Sequence, residues 1–188
     1  MNIRRAYAIF LRQVYLVRDN FTRFIQLFIW TTVDITLWGF ISKYLGTVSG
    51  SGMSFVPLFL GGVLLWDFLI QAMQGITMSL FEDVWSRNFL NIFASPLRIS
   101  EYIFGFVLAS IARSAVVLTI MLILATFVFG FSVFTYGASL ALFMAILFLF
   151  GIALGIFGIS IVLRLGPSAE WFVWPIPAFL SPFVGVFY

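Results

Sequence analysis

Long apolar runs separated by short polar stretches set the pattern of this chain. The runs at about 21–43, 55–80, 101–129, 138–163 and 171–188 approach or exceed the ~18–20 residues that a helix needs to cross a bilayer. A membrane barrel would show short alternating segments instead. The pattern therefore predicts an all-α, polytopic helical membrane protein: a single transmembrane domain of an N-terminal interfacial helix and five membrane-spanning helices.

Residues 1–20 follow a different rule. At helical spacing Ile3, Tyr7, Phe10, Val14 and Val17 form one stripe, with Arg5, Arg12 and Asp19 roughly opposite. This is the signature of a basic amphipathic helix lying in the membrane interface, in contact with lipid. The positive-inside bias accounts for the arginines but not for the stripe. Arg12 interrupts the apolar core that a cleavable signal peptide requires. Asn20-Phe21-Thr22 spells a glycosylation sequon beside the arginine cluster, which reads as coincidence.

Between the second and third runs, 81–100 carries charge of both signs. Phe81, Val84, Trp85, Phe89, Ile92 and Phe93 share one helical face, whereas Glu82, Asp83, Arg87 and Asn91 fall elsewhere. Ser95-Pro96 stops the helix, because the residue before proline is pushed out of the helical region. The expectation is a short amphipathic helix over Phe81–Pro96, separate from the second span, with Trp85 and Phe89 on its buried face. A solvated connector joining two spans is the plainer alternative.

Three charges fall inside the runs: Asp34, Asp67 and Arg113. At ~1.5 Å rise per residue, all three lie ~17–20 Å from the helix ends nearest the N-terminal side. An unpaired charge at that depth costs roughly 2.5–3.5 kcal/mol. One expectation pairs Arg113 with Asp67 or Asp34. The other starts the third crossing at Ser114 and lets Arg113 snorkel to the interface. Gly151 and Gly155 have the small-xxx-small spacing that admits a close helix neighbour, although glycine is also simply tolerated in such helices.

Composition sharpens this picture mainly by exclusion. Charged residues make up 9% of the chain, against the quarter usual in soluble domains. There is no Cys or His, which removes thiolate chemistry, the commonest transition-metal ligand and a Ser-His-Asp triad. No catalytic or metal-binding residue is expected. The one lysine, Lys43, does not stand in a Gly-Lys-Ser/Thr phosphate loop, so any ATP that drives this protein is hydrolysed by another chain. The net charge of +3 concentrates in the first 23 residues, which suits anionic lipid headgroups and not nucleic acid. With the N-terminus in the cytosol, the inner segments hold Arg4, Arg5, Arg12, Arg18, Arg23, Arg87, Arg98 and Arg164, and the outer loops hold only Lys43.

An interfacial helix, two spans, a cytosolic amphipathic segment ending in Ser95-Pro96-Leu97 and then further spans resembles the permease subunits of type-2 ABC exporters. Three stretches carry the resemblance: Trp66-Asp67, Glu82–Leu97 (EDVWSRNFLNIFASPL) and Leu180–Tyr188 (LSPFVGVFY). It implies a multi-pass protein of the plasma (inner) membrane with a cytoplasmic N-terminus. The pathway would form between two copies, or between one copy and a related permease. ATP and Mg would sit on a cytosolic ATP-binding subunit, with no cofactor on this chain. The segment 81–100 would hold the coupling helix, with Glu82, Asp83, Trp85, Arg87, Asn88, Ser95 and Pro96 as its contact residues. The family has six spans and an outer hairpin before the last, so an extension beyond Tyr188 is expected. The cargo would be a hydrophobic drug, a lipid or a lipid-linked polysaccharide, which the residues do not separate. Two other readings compete. Asp34 and Asp67 could form the carboxylate pair of an intramembrane aspartyl hydrolase, although Arg113 would then suppress the pair. The chain could also be an assembly subunit without transport of its own.

Overall fold

The second of the long apolar segments counted from the N-terminus is the most enclosed in the computed structural model, which describes residues 2–48, 56–132 and 137–184. Every regular element among these residues is helical. In order they are α1 (Ile3–Arg18), α2 (Phe21–Val48), α3 (Val56–Trp85), α4 (Phe89–Phe93), α5 (Ile99–Phe129), α6 (Ser139–Leu165), α7 (Glu170–Val173) and α8 (Ile176–Val184), with a 3-10 turn at Pro167–Ala169. Four of them, α2, α3, α5 and α6, are long and apolar enough to cross a membrane, so the fold is that of a polytopic helical membrane protein.

α3 is the hub. It packs against α2, α5 and α6, and 72% of its apolar stretch is buried, against 11% for α6. One apolar core gathers Met73, Ile76, Leu80 and Phe81 of α3 with Phe106 of α5 and Ile159 of α6. A second joins Ile35 of α2 and Leu60 and Leu64 of α3 to Val117 and Met121 of α5. The outer faces of α2 and α6 leave Trp30, Phe40, Leu149 and Phe157 exposed, as lipid-facing surfaces require.

Local chemistry sets the helix ends. Asn2 caps α1 by accepting the Arg4 N–H at 3.1 Å. The Asn20 side chain accepts from the Thr22 and Arg23 N–H groups at 3.1 and 3.3 Å. Asn20 of the apparent sequon is thus the cap of α2, with a structural reason for being there. α5 ends on Gly130 in the left-handed conformation.

Three expectations need correction. The first concerns 81–100, which is not one separate helix. Nothing in Leu80–Trp85 breaks a helix, so α3 continues through Glu82 and Asp83 to Trp85. The break comes at Ser86–Asn88, where Arg87 adopts φ 54°, and α4 is only five residues long. Phe89 packs inward, but Trp85 is 51% exposed. The second concerns the arginines of α1, expected to face lipid: Arg5 and Arg12 turn instead to acids of the bundle. Ala6, Ile9 and Gln13 form the packing face, while Ile3, Tyr7 and Val14 of the apolar stripe stay exposed. The third concerns the expected fifth span at 171–188, which divides into α7 and α8 around Trp174 and Pro175. Its last four positions lie outside the described residues, as do 49–55, with the expected start of the second span, and 133–136 in the turn after α5.

The glycines of α6 decide how closely it approaches α3. A Cβ on Gly151 would stand 2.7 Å from the Leu69 carbonyl oxygen and 2.8 Å from the Ala72 Cβ. On Gly155 it would meet the Met73 carbonyl oxygen at 3.0 Å and the Ile76 Cβ at 3.1 Å. The expected packing role of this pair therefore falls within the chain, at the α3–α6 contact. Gly151→Ala should destabilise the fold by ~1–3 kcal/mol, as overpacking does, and Gly155→Ala by less. Thermal unfolding of the two purified variants checks the order; equal midpoints with the parent protein would refute the contact.

Candidate functional site

At the end of the bundle that holds α1, three acids meet three arginines. Asp83 is 1% exposed. The Arg12 guanidinium donates to both of its oxygens, at 2.9 Å to Oδ2, and the Tyr102 hydroxyl donates to Oδ2 at 2.6 Å. The hydrogen bond to Asp83 holds the Arg12 guanidinium above its ordinary range against the opposing effect of burial. Arg23 of α2 reaches Glu82 at 2.9 Å. Glu101 accepts the Asn2 N–H at 2.6 Å and the Arg98 N–H at 3.1 Å, with Arg5 at 3.6 Å. Arg5 also donates to the Pro96 carbonyl. α1, α2, α3 and α5 are thus tied together by their charges at one level.

This arrangement changes the role of the expected contact residues. Glu82 and Asp83 are bound within the chain and are not presented to a partner. Trp85 is exposed but donates its indole N–H to Glu170 at 2.8 Å. Arg87 is exposed at the helix break, and Asn88 begins α4, where its side chain accepts from Asn91 at 3.4 Å. Ser95 and Pro96 lie exposed after α4, with the Ser95 hydroxyl turned back onto the Ile92 carbonyl at 2.6 Å. Exposed apolar groups on α4 and at the neighbouring helix ends include Leu90 at 80%, Ile99 at 58% and Trp85. An open cavity of about 570 Å³ between α1 and α2 is lined by Leu11, Tyr15, Leu16, Arg12 and Arg23. Both arginines are already neutralised by acids of α3, so the cavity is an apolar cleft and not an anion site.

Deeper in the bundle the expected charge cluster divides. Arg113 forms no ion pair with Asp34 or Asp67; among the described residues the acid acting on its charge is Glu82. Its Nε is buried without a hydrogen-bond partner. Asp34 and Asp67 lie within each other's electrostatic reach across the α2–α3 contact, and Arg113 is not the counter-charge of that pair.

Sequence reasoning missed Tyr102, Glu101 and Glu170 as partners, and the buried Gln71–Thr31 hydrogen bond of 3.0 Å. Arg5 and Arg12 were legible as charges, but only as a lipid-facing set. A usable signal existed for Glu101: three residues after Arg98 and just past a proline, it stands where a helix-start acid stands. No family model, curated protein or solved structure matches the chain.

The Arg12–Asp83 pair should respond asymmetrically to truncation. Arg12 is 29% exposed and can turn to water, whereas Asp83 cannot. Arg12→Leu, which strands a buried carboxylate, should cost about 3–5 kcal/mol. Asp83→Leu should cost less, and adding it to Arg12→Leu should recover part of the loss. Equilibrium unfolding of the two single variants and the double variant tests this; equal and additive losses would contradict a buried, coupled pair.

Proposed function

We propose that this chain is the membrane-spanning subunit of an ATP-driven ABC exporter, with ATP bound and hydrolysed by a separate cytosolic chain. The observation that carries the reading is α4. It is a short helix between two long ones, braced from behind and carrying Leu90 80% exposed on its outer side. Phe89 and Phe93 rest on Tyr102, with ring centroids 6.2 and 5.2 Å away, and Tyr102 in turn holds Asp83. A push on α4 therefore reaches α5 through Tyr102 and α3 through Asp83, as a coupling helix must. Trp85 and Ile99 flank Leu90 as further apolar contacts for a groove on the ATPase.

In this reading the N-terminus and α4 face the cytosol, and the protein belongs to the plasma (inner) membrane. A second permease copy, identical or related, completes the pathway. The cargo is hydrophobic or lipid-linked: a drug, a lipid or a polysaccharide on a lipid carrier.

Glu82 and Asp83 are unsuitable test positions because they hold the bundle together. Leu90→Asp is the cleaner probe, since that side chain supports nothing inside the chain. Burying a leucine at an interface contributes roughly 1.5–3 kcal/mol, so the variant should bind its ATPase about 10- to 100-fold more weakly. Copurification of an ATP-hydrolysing chain should fall accordingly, with membrane insertion unchanged. An undiminished ATPase yield with Leu90→Asp, or no ATPase with the parent protein, would sink the reading.

A further inference from the structure

Asp67 and Gln71 stand one turn apart on the same face of α3, and each is 7% exposed. The Gln71 amide N–H donates to the Thr31 hydroxyl of α2. That leaves the Gln71 Oε1 buried with no donor, and the Asp67 Oδ2 is buried with no donor as well. α2 and α3 run antiparallel in a register marked by Arg23 with Glu82, Thr31 with Gln71, and Trp38 stacked on Phe59. The same register sets Asp34, half-buried on α2, opposite Asp67.

The charged groups around the pair do not neutralise it. From α2 comes Asp34, a second acid. From α5 comes Arg113, whose charge acts with Glu82 toward the α1 end. The charged residue of α6 is Arg164, at the far end of that helix, and beyond it Glu170 is bonded to Trp85. On α3 itself Glu82 and Asp83 have their own arginines. An ionised Asp67 would thus lie in a buried contact beside another carboxylate, with no cation and no donor for its Oδ2 among the described residues, an arrangement that buried carboxylates avoid by holding a proton.

Both partnerless oxygens are acceptors on residues one helical turn apart, and a proton on the carboxyl would give the amide oxygen the donor it lacks. We propose that Asp67 is an intramembrane proton-binding site. It carries a proton at neutral pH and donates it to the Gln71 Oε1, while Gln71 is held in place by Thr31. Asp34 stands opposite as a second carboxyl. The proton stays while α2 covers α3 and leaves when the two helices part and water solvates the carboxylate, so its occupancy is tied to the α2–α3 contact. Ionisable groups at this depth commonly mark proton relays, and this inference does not depend on the exporter reading.

Infrared spectra of the full chain in lipid nanodiscs, titrated through neutral pH, test the site directly. The parent protein should show a carboxylic C=O band worth one carboxyl at neutral pH, moving in deuterium oxide. Asp67→Asn should abolish the band, Asp34→Asn should keep it, and Gln71→Leu should shift its frequency upward. Asparagine can still donate to Gln71, so Asp67→Asn should fold. Should it not, the parent spectrum and the Gln71→Leu shift still decide. Absence of the band in the parent protein at neutral pH would overturn the proposal, whether Asp67 is simply ionised or holds a sodium ion, which a sodium-dependent carboxylate band would reveal. A band that disappears with Asp34→Asn and survives Asp67→Asn would overturn the assignment to Asp67.

Discussion

A single desolvated carboxylate, that of Asp83, dictates how the N-terminal third of this protein is arranged. It sits on the hub helix, 1% exposed. An isolated ion in such a place costs several kcal/mol. The counter-charge comes from Arg12, and to deliver it α1 must lie against α5. Gly105 makes that approach possible, since a Cβ there would stand 2.6 Å from the Ile9 Cβ and 2.8 Å from the Ala6 carbonyl oxygen. The buried acid, the small residues at the crossing and the arginine thus form one device. Its consequence for α1 is large: Arg5 and Arg12 serve acids of the bundle, and Arg4 and Arg18 remain exposed.

The same device stiffens the join between α3 and α5. Tyr102 touches Asp83 with its hydroxyl and Phe89 and Phe93 with its ring. Arg5 ties the Pro96 carbonyl and Glu101 to α1. A five-residue helix has almost no stability of its own, so α4 owes its shape to these contacts. In the exporter reading proposed above, a force applied to α4 would displace helices instead of unravelling a loop.

How far the sequence could be read follows from which physics is local. The long spans were legible because burial in hydrocarbon imposes a continuous apolar run that no loop can imitate. The stop after α4 was legible because proline acts on its immediate neighbour. The continuation of α3 through Glu82 and Asp83 was not. Polar residues mark a helix leaving the membrane but do not end its backbone, and the pattern alone equates the two. The partners of Arg12 and Arg113 were beyond reach for a different reason. Depth along each helix can be counted from its ends, yet rotation about each axis depends on packing, and rotation decides which charges meet. The apolar stripe of α1 was legible, but the face that packs on the bundle, Ala6, Ile9 and Gln13, was not, because it depends on Gly105, a residue distant in sequence.

Asp83 and Asp67 show what rotation and reach accomplish. Both are buried acids on α3 with an aqueous-type cost to remaining charged, and they are resolved in opposite ways. Asp83 lies where α1 crosses the bundle, within range of a guanidinium on a long stem, and it is neutralised by a partner charge. Asp67 lies some four turns deeper, at ~5.4 Å per turn, beyond the reach of any arginine on α1. The cation of α5, Arg113, forms no ion pair with it, and the acid acting on its charge is Glu82. What faces Asp67 is an amide and a second acid. The first acid is therefore fixed in place by an ion pair that is lost only with the fold, while the second can be relieved only by a proton, the smallest cation and the one most easily surrendered to water. A helix that carries both is anchored at one end and responsive near its middle.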